Sequence, residues 1–444
     1  MDPTPIRADG ACDRSAPSPL EGGTKGMTAT TAIGTALGES IVAQIDRLAS
    51  ISESETDLTR IFLSPEHRQA ADLIRSWMEE AGMAARMDAI GNVVGRYEGD
   101  QPKLPALLLG SHYDTVRNAG KWDGPLGVVS AIACVADLRR RGKRLPFAIE
   151  VIGFADEEGV RFNSTLLGSR AVAGTFDKAV LSSRDHNGIS MQEALQHFGL
   201  DPDCIGAAVR APSEYLAYLE LHIEQGPVLE AEGLPVGVVT AISGATRLLV
   251  TLEGKAGHAG TVPMTMRRDA LAGAAECIIA IESQCRKDIN LFGTVGVIRA
   301  EPGATNVIPG RSTFTLDMRS ASDEHRLQAV SLAVRTIEKI AQDRGLAPQI
   351  KVTYEQRRTP CADWLQAQVS SAIARQGFRT LSLPSGAGHD GMAIAEITDI
   401  GMIFVRCRGG ISHHPDEHVA LDDVTSGVNV LLDVIEHFEP KRAG

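Results

Sequence analysis

The hydrophobic positions of the chain follow two different periods. The segments PALLLGSH (105–112) and FAIEVIGF (147–154) are nearly continuous apolar runs, as is typical of strands buried on both faces. Between them, residues 127–142 place apolar side chains three and four positions apart, which predicts a helix. The same helical spacing occurs over residues 41–48 and 67–81. Buried strands that alternate with helices predict an α/β fold with a largely parallel sheet.

The pattern changes near Ser243. Three segments now alternate apolar and polar residues, as strands with one exposed face do: RLLVTLEG (247–254), TVGVIRAEPG (294–303) and STFTLDMRS (312–320). Two long helical patterns, 268–285 and 322–345, lie between and after them. The order strand, helix, strand, strand, helix, strand predicts a small α+β domain.

We therefore predict a two-domain α/β protein, in which an α+β domain of residues 243–357 interrupts a larger domain of residues 38–242 and 358–440. The last helix of the larger domain is expected to end near His437. Residues 1–37 are rich in Pro, Ala, Thr, Ser and Gly and contain few large apolar residues. Such a segment cannot bury enough surface to offset the entropy of ordering, so we expect a disordered extension.

Composition limits the partners of the chain. The 444 residues carry a formal net charge of −12, which argues against nucleic acid or an anionic membrane surface as the main partner. A small anionic ligand would need a local cationic group. The seven cysteines are scattered and odd in number, without a C-x-x-C pair, which indicates reduced thiols and a cytosolic location. No apolar run is long enough to span a membrane, and the sequence shows no signal peptide.

Five residues of metal-binding type follow apolar runs, where the crevice of an α/β sheet lies. They are His112 in GSHYDT, Asp123 in KWDGPLG, Glu158 in FADEEG, His222 in LELHIEQG and His413 in GGISHHPDE. Imidazole and carboxylate ligands suit borderline or hard divalent ions, and an Asp between two ligand sets can bridge a metal pair. Taken alone, Asp123 is better explained as the N-cap of a helix, and only the neighbouring motifs change this interpretation. Together the five residues indicate a two-metal hydrolase.

Neighbours of these residues offer further chemistry. Asp114 lies two positions after His112, so on a strand its carboxylate can hold the imidazole. The strand that begins at Phe147 is predicted to end at the paired Glu157 and Glu158. Adjacent side chains at a strand end point to different sides, so one carboxylate can bind a metal while the other accepts a proton from water. A solvated acidic turn that includes Asp156 is the alternative.

The C-terminal motif contains two histidines. His413 and His414 are adjacent, and the geometry of a strand or loop allows only one of them to enter a site comfortably.

A second group of residues is predicted to hold a substrate. The Gly-rich segment 385–391 contains Gly388 and His389 and offers backbone N–H donors for an oxyanion or a ureido group. On the inserted domain, His258, Asn306 and Arg319 lie near strand ends, and Arg319 can clamp a carboxylate through two hydrogen bonds. As isolated residues, all three are better explained as turn or surface residues.

Nine motifs occur in a fixed order over residues 40–438. They are GSHYDT, the WDG loop, DEEG, LHIEQGPVLE, GHAGTVPM, NVIPG, D-x-R, SGAGHD and RCRGGISHHPDE. Together they resemble the amidase (hydantoinase/carbamoylase) branch of the dinuclear metallo-aminoacylase and carboxypeptidase clan. The resemblance implies a catalytic domain interrupted by a lid that also dimerises.

The resemblance also implies a role for each candidate residue. One metal would be held by His112, Asp123 and His222, and the other by Asp123, Glu158 and His413, with Glu157 as general base. The SH-x-P pattern of the family selects His413 over His414. His258, Asn306 and Arg319 would contact the substrate across a homodimer, His258 would also stabilise the oxyanion, and Gln225 and His389 would complete the pocket. Asp156 departs from the family pattern, where a third Glu is common, but it touches neither ligand nor base.

The implied reaction is metal-dependent hydrolysis of the ureido C–N bond of a small carboxylate, with release of ammonia and CO2. RFNSTLLGS and TRLLVTLEG favour allantoate as substrate, whereas GHAGTVPM is shared with N-carbamoyl-L-amino acid hydrolases. β-Ureidopropionase and ureidoglycolate amidohydrolase are further members. The ligands accept Zn, Mn, Co or Ni. A dipeptidase, or a metal-containing binding protein without turnover, is the rival interpretation; the spare carboxylate beside Glu158 argues against a pure binder.

Overall fold

The structure is a computed structural model that describes residues 29–441, with side-chain surroundings from residue 36 onward. The helices of these residues are α1 (Ala29–Ala49), α2 (Pro65–Glu80), α3 (Pro125–Arg140), α4 (Leu167–Ala173), α5 (Met191–His197), α6 (Val228–Ala231), α7 (Ala270–Cys285), α8 (Asp323–Asp343), α9 (Asp363–Arg375), α10 (Gly391–Ile394) and α11 (Leu421–Glu436). The strands are β1 (Ala84–Met87), β2 (Val93–Tyr97), β3 (Ala106–His112), β4 (Ala148–Phe154), β5 (Tyr215–Ile223), β6 (Val236–Ile242), β7 (Gly244–Glu253), β8 (Gly257–His258), β9 (Phe292–Thr294), β10 (Ile298–Glu301), β11 (Val307–Ile308), β12 (Arg311–Ser320), β13 (Ala347–Gln356), β14 (Thr359–Pro360), β15 (Ser382–Ser385) and β16 (Ile400–Val405).

The larger sheet has the order β1-β2-β4-β3-β5-β16-β6-β14, and β15 pairs with β6. Its centre, β4-β3-β5-β16, is parallel, whereas the pairs at both edges are mostly antiparallel. All seven residues of β3 and of β4 are buried, because α3 covers one side of the sheet and shorter elements cover the other. The predicted parallel α/β sheet is therefore confirmed at the centre of the sheet.

A separate antiparallel sheet of order β10-β12-β7-β13, with β9 on β12, lies within residues 244–356. Its core side packs against α7 and α8 through alternate strand residues such as Leu248, Phe314 and Met318. Within residues 29–441, no helix packs on the opposite side of this sheet. We call this second unit the lid. Its element order agrees with the predicted α+β pattern, and the exact domain boundaries stay a prediction.

Two expectations about boundaries change. Helix α1 begins at Ala29, so the predicted extension of residues 1–37 is too long; residues 1–28 lie outside the described residues. The buried face of Ile41, Ile45 and Leu48 anchors this helix, and propagation adds turns at little cost even for residues of low hydrophobicity. Strand β4 ends at Phe154, before the acidic pair, so Glu157 and Glu158 lie on a loop and not on the strand itself.

Candidate functional site

Four parallel strands bring the predicted ligands to one edge of the larger sheet. His112 ends β3, His222 lies at the end of β5, Glu158 follows β4, and His413 follows β16. The carboxyl ends of parallel strands meet at one edge, where α/β folds form their crevice. Asp123 comes from the loop between β3 and α3.

The Asp123 carboxylate lies between two groups of side chains. Its Oδ1 atom is 3.5 Å from Nε2 of His112 and 3.1 Å from Nε2 of His222. Its Oδ2 atom is 3.2 Å from Nε2 of His413, which in turn is 3.4 Å from Oε1 of Glu158. One ligand atom from each member of the two triads lies within 4.8 Å of the others, and the triads share Asp123.

These donors fit divalent cations. Nε2 of His222 is buried and, within the described chain, makes no hydrogen bond, although it points toward Asp123. Burial opposes ionisation of Asp123, but the adjacent imidazoles outweigh burial and hold its pKa well below its usual range. Burial raises the pKa of Glu158 to about 7, and contact with Asp123 raises the pKa of His413 to about 9. A charge cluster with such opposed shifts is relieved when protons are replaced by cations.

Asp114 supports both halves of the site. Its Oδ1 atom is 3.3 Å from Nδ1 of His112, and its carboxylate accepts hydrogen bonds from the backbone N–H groups of Glu157 and Glu158 at 3.0 and 3.3 Å. One carboxylate thus orients an imidazole and fixes the loop that carries both acids, as the sequence spacing suggests for the imidazole.

Glu157 is the acid left free. It joins His112 and Glu158 in one cluster of potential ligands but belongs to neither triad around Asp123. Burial and the neighbouring Glu158 raise the pKa of Glu157 well above its ordinary value. A carboxyl group of this kind, held beside metal-type ligands, is suited to general acid–base chemistry.

The C-terminal motif separates its two histidines. His413 reaches Asp123 and Glu158, whereas Nδ1 of His414 lies 3.6 Å from Asp416 on the exterior. The backbone of His413 is left-handed, with φ of 55°, which turns its side chain back toward the sheet.

Two residues that support the site were not predicted from the sequence. The Ser412 hydroxyl donates to Asp123 Oδ2 at 2.6 Å, and Glu417 accepts hydrogen bonds from the backbone N–H groups of Trp122 and Asp123 at 2.7 and 3.1 Å. Ser412 adjoins a predicted ligand, which is a weak signal. Glu417 is nearly 300 positions from Asp123, and nothing local in the sequence indicates the contact.

Gly124 allows the close approach of Asp123 to His112. Its φ is +82°, and a Cβ atom there would lie 2.5 Å from the His112 ring. Only glycine therefore fits between this loop and the imidazole.

A cavity of about 260 Å³ opens beside these residues, between the larger sheet and the lid. The larger domain contributes Glu157, Glu158, His413 and the predicted substrate-binding residue Gly388 to the lining of the cavity. Its lid side includes Arg319. The cavity therefore combines a free acid, metal-type ligands and a cation, and the cation is what an anionic ligand would need.

The position of Arg319 corrects one expectation. We expected it to reach the site of a partner subunit, but it lines the cavity of its own chain and donates from Nη1 to the Gly386 carbonyl oxygen at 2.7 Å. Strand β12 runs directly to this cavity, so no second subunit is needed to place it. Asp317 holds the guanidinium through Nε and Nη2 at 2.9 and 3.0 Å.

His258 and Asn306 lie elsewhere on the lid. His258 ends β8 and Asn306 directly precedes β11, and these two strands form a small ribbon beside which Ala259 N–H donates to the Asn306 carbonyl oxygen at 2.9 Å. Both residues are exposed, and neither lines the described cavity of its own chain.

Gln225 and His389 are near the site but do not line the cavity. The Gln225 amide donates to Asp123 Oδ2 at 2.7 Å. His389 is buried behind His222, with ring centroids 4.5 Å apart and its Nε2 2.7 Å from the Ser385 hydroxyl. In this structure they support ligands, and direct substrate contact by either residue stays a prediction.

Comparisons with known proteins match this architecture. The model of Peptidase family M20/M25/M40 matches residues 108–437. The allantoate deiminase of Arabidopsis thaliana is 42% identical over 432 residues, covering 90% of this chain and 82% of that protein. The N-carbamoyl-L-amino acid amidohydrolase of Geobacillus stearothermophilus is 42% identical over 400 residues, covering 90% of this chain and 98% of its own.

A solved structure agrees with the sequence relatives. The hydantoinase/carbamoylase family amidase of Burkholderia multivorans is 32% identical, with a TM-score of 0.85 over 91% of this chain and 98% of that one. The chain therefore belongs to Peptidase family M20/M25/M40, within its hydantoinase/carbamoylase amidase branch.

Proposed function

We propose that this protein hydrolyses the ureido C–N bond of a small carboxylate, with allantoate as the first candidate substrate. The observation that carries the proposal is the cavity in which the free acid Glu157 faces Arg319 beside the two triads that share Asp123. A ureido acid presents a carbonyl to the acids and a carboxylate to the arginine.

His112, Asp123 and His222 would hold one divalent ion, and Asp123, Glu158 and His413 a second, with Mn²⁺ or Zn²⁺ the first candidates and Co²⁺ or Ni²⁺ compatible. Such ions supply positive charge that polarises the carbonyl and makes water more acidic.

The residues of the chain carry the proton and orient the substrate. Glu157 accepts a proton from the attacking water and delivers it to the leaving nitrogen as the ureido C–N bond breaks. Ammonia leaves, and the remaining carbamate loses CO2. Arg319 fixes the substrate carboxylate, so that binding energy is converted into orientation.

N-carbamoyl-L-amino acids are the second candidate substrates. The Geobacillus stearothermophilus amidohydrolase named for them is as similar to this chain as the plant allantoate deiminase. Ammonia release should be measured with allantoate, N-carbamoyl-L-amino acids, N-carbamoyl-β-alanine and, as a control, a dipeptide assayed for cleavage. Cleavage of the dipeptide alone would contradict the proposal.

We further propose a homodimer in which His258 and Asn306 act on the substrate of the partner subunit, His258 by stabilising the oxyanion. Both residues are exposed and neither lines the cavity of its own chain, which supports this arrangement. Mixing a His258→Ala protein with a Glu157→Gln protein should restore activity, because one site of the heterodimer has both residues intact. Confirmed subunit exchange without recovery would contradict it.

The protein is proposed to act in the cytosol, as its scattered cysteines suggest. The cysteines of the described residues are free thiols. Within those residues, no helix has the length and apolar character needed to cross a membrane.

A further inference from the structure

The face of the lid sheet without helices forms one wall of the cavity. Side chains alternate between the two faces of a strand, so Ala245 and Arg247 of β7 point away from the buried Leu248. Tyr354 and Gln356 of β13 lie on the same side and also line the cavity.

The strand register arranges these residues in rows. Ala245 is paired with Arg319 on one side and Gln356 on the other. Neighbouring strands are about 4.8 Å apart, so the backbones of Arg319 and Gln356 are separated by roughly 10 Å. Only the methyl group of Ala245 lies between their side chains. The small Ala245 side chain thus leaves room for a ligand between two long polar side chains.

Arg319 retains donors for a ligand in this position. Asp317 and the Gly386 carbonyl oxygen use three of its five N–H groups. One N–H on each terminal nitrogen remains for a carboxylate.

Ser243 adds an unsatisfied group to the same wall. It is 6% exposed and lines the cavity, and its hydroxyl has no hydrogen-bond partner within the described residues. Its backbone N–H is fixed by the Ser385 carbonyl oxygen at 2.9 Å. A buried hydroxyl without a partner costs free energy, which a ligand that binds there recovers.

We propose that Gln356, which is paired with Ala245, and Ser243, which lies two positions before Ala245, form a distal subsite for a second ureido group of the substrate. This inference rests on the proposed ureido hydrolysis and adds to it the residues that distinguish a carboxylate with two ureido arms from one with a single arm. One arm lies at Glu157, the carboxylate lies at Arg319, and the second arm lies at Ser243 and Gln356.

The chemistry of the subsite distinguishes substrates. A ureido group carries one carbonyl acceptor and several N–H donors, and the Gln356 amide and the Ser243 hydroxyl can each both donate and accept. An alkyl arm would leave the buried Ser243 hydroxyl without a partner, whereas the half-buried Gln356 amide already donates to the Arg357 carbonyl oxygen at 3.4 Å. A site built for hydrogen bonds discriminates strongly against a substrate that cannot make them.

Two substrates that differ only in the second ureido arm can test the subsite. Allantoate is N-carbamoylglycine with a second ureido group on its α-carbon, so the ratio of their kcat/KM values reports on that arm alone. Gln356→Leu and Ser243→Ala should each lower the ratio about tenfold, since each removes a hydrogen bond to the second ureido arm, which N-carbamoylglycine lacks. Ser130→Ala is the matched control, because the Ser130 hydroxyl in α3 is also buried without a partner in the described chain but does not line the cavity.

Binding provides a readout independent of turnover. In the Glu157→Gln background, calorimetry should show allantoate binding weakened about tenfold by Gln356→Leu. Unchanged kcat/KM ratios and affinities in folded variants, or a wild-type protein that hydrolyses N-carbamoylglycine but not allantoate, would overturn the subsite and leave ureido hydrolysis standing. Failure of the metal-loaded wild type to hydrolyse any ureido acid would overturn the proposed function, and the subsite with it.

Discussion

At the scale of single residues, the adjacent acids Glu157 and Glu158 have different surroundings. Glu158 shares a triad with Asp123 and His413, and Glu157 does not. Glu157→Gln should therefore retain both metals and lower kcat at least about 100-fold, because it removes a proton acceptor and no ligand. Glu158→Gln should lose one metal equivalent on dialysis. Metal analysis beside kinetics checks this, and a metal-deficient Glu157→Gln protein would show that the two roles are reversed.

The two histidines of the C-terminal motif form a matched pair. His413→Ala removes an imidazole beside Asp123, so we expect loss of bound metal and of activity. His414→Ala alters a residue that faces Asp416 outside the site and should change neither. Equal metal loss in the two variants, measured by elemental analysis, would contradict this assignment.

Residue identities could be predicted where a short motif carries them. The five predicted metal ligands were found because each lies in a motif that follows an apolar run, and the structure brings all five together: His112, Asp123, Glu158, His222 and His413. Glu417 and Ser243 were not found, because their importance arises from contacts with residues distant in sequence. Strand periodicity also does not specify whether Arg319 lies at the cavity of its own chain or at that of a partner subunit, because this depends on how the lid packs against the larger domain.

At the scale of elements, the periodicities predicted strands and helices well. The apolar run ending at His112 is β3, and the helix predicted over residues 127–142 is α3. Helix ends were less predictable, since α1 extends to Ala29 through residues of low hydrophobicity. The antiparallel edges of the larger sheet could not be predicted either, because edge pairing depends on connections that periodicity does not reveal.

Helix α1 supplies a test at this scale. Deletion of residues 1–28 should leave the Tm and activity unchanged, because every motif lies downstream. Ile45 is fully buried, so Ile45→Ala in α1 should lower the free energy of unfolding by about 2–5 kcal/mol. Thermal melts of both proteins check the prediction. A deletion variant that melts as low as Ile45→Ala would show that residues 1–28 contribute to the fold.

At the scale of the whole molecule, the charge cluster predicts how stability depends on pH. The raised pKa values of Glu158, about 7, and His413, about 9, mean that the metal-free folded state holds protons that the unfolded state releases. Stability is therefore lost as pH rises through these values. His67 and His389, whose pKa values are lowered, oppose this trend only near pH 6.5, where about half of their imidazoles are protonated in the unfolded state, and they are neutral in both states above about pH 7.5.

The Tm of the metal-free protein should accordingly fall between pH 6.5 and 9, and the gain in Tm on adding Mn²⁺ should grow over this range, since metal ligands must be deprotonated. His413→Ala should reduce the fall. A Tm of the metal-free protein that rises across this range would contradict the charge cluster as described.

The central claim is that this chain is a metal-dependent ureido hydrolase, and ammonia release from allantoate tests it most directly. The protein should be assayed as purified, after removal of metal by a chelator, and after addition of Mn²⁺, with metal content measured each time. The account predicts activity that disappears with the metal and returns with Mn²⁺. Full activity in a preparation shown by elemental analysis to be free of metal would contradict it.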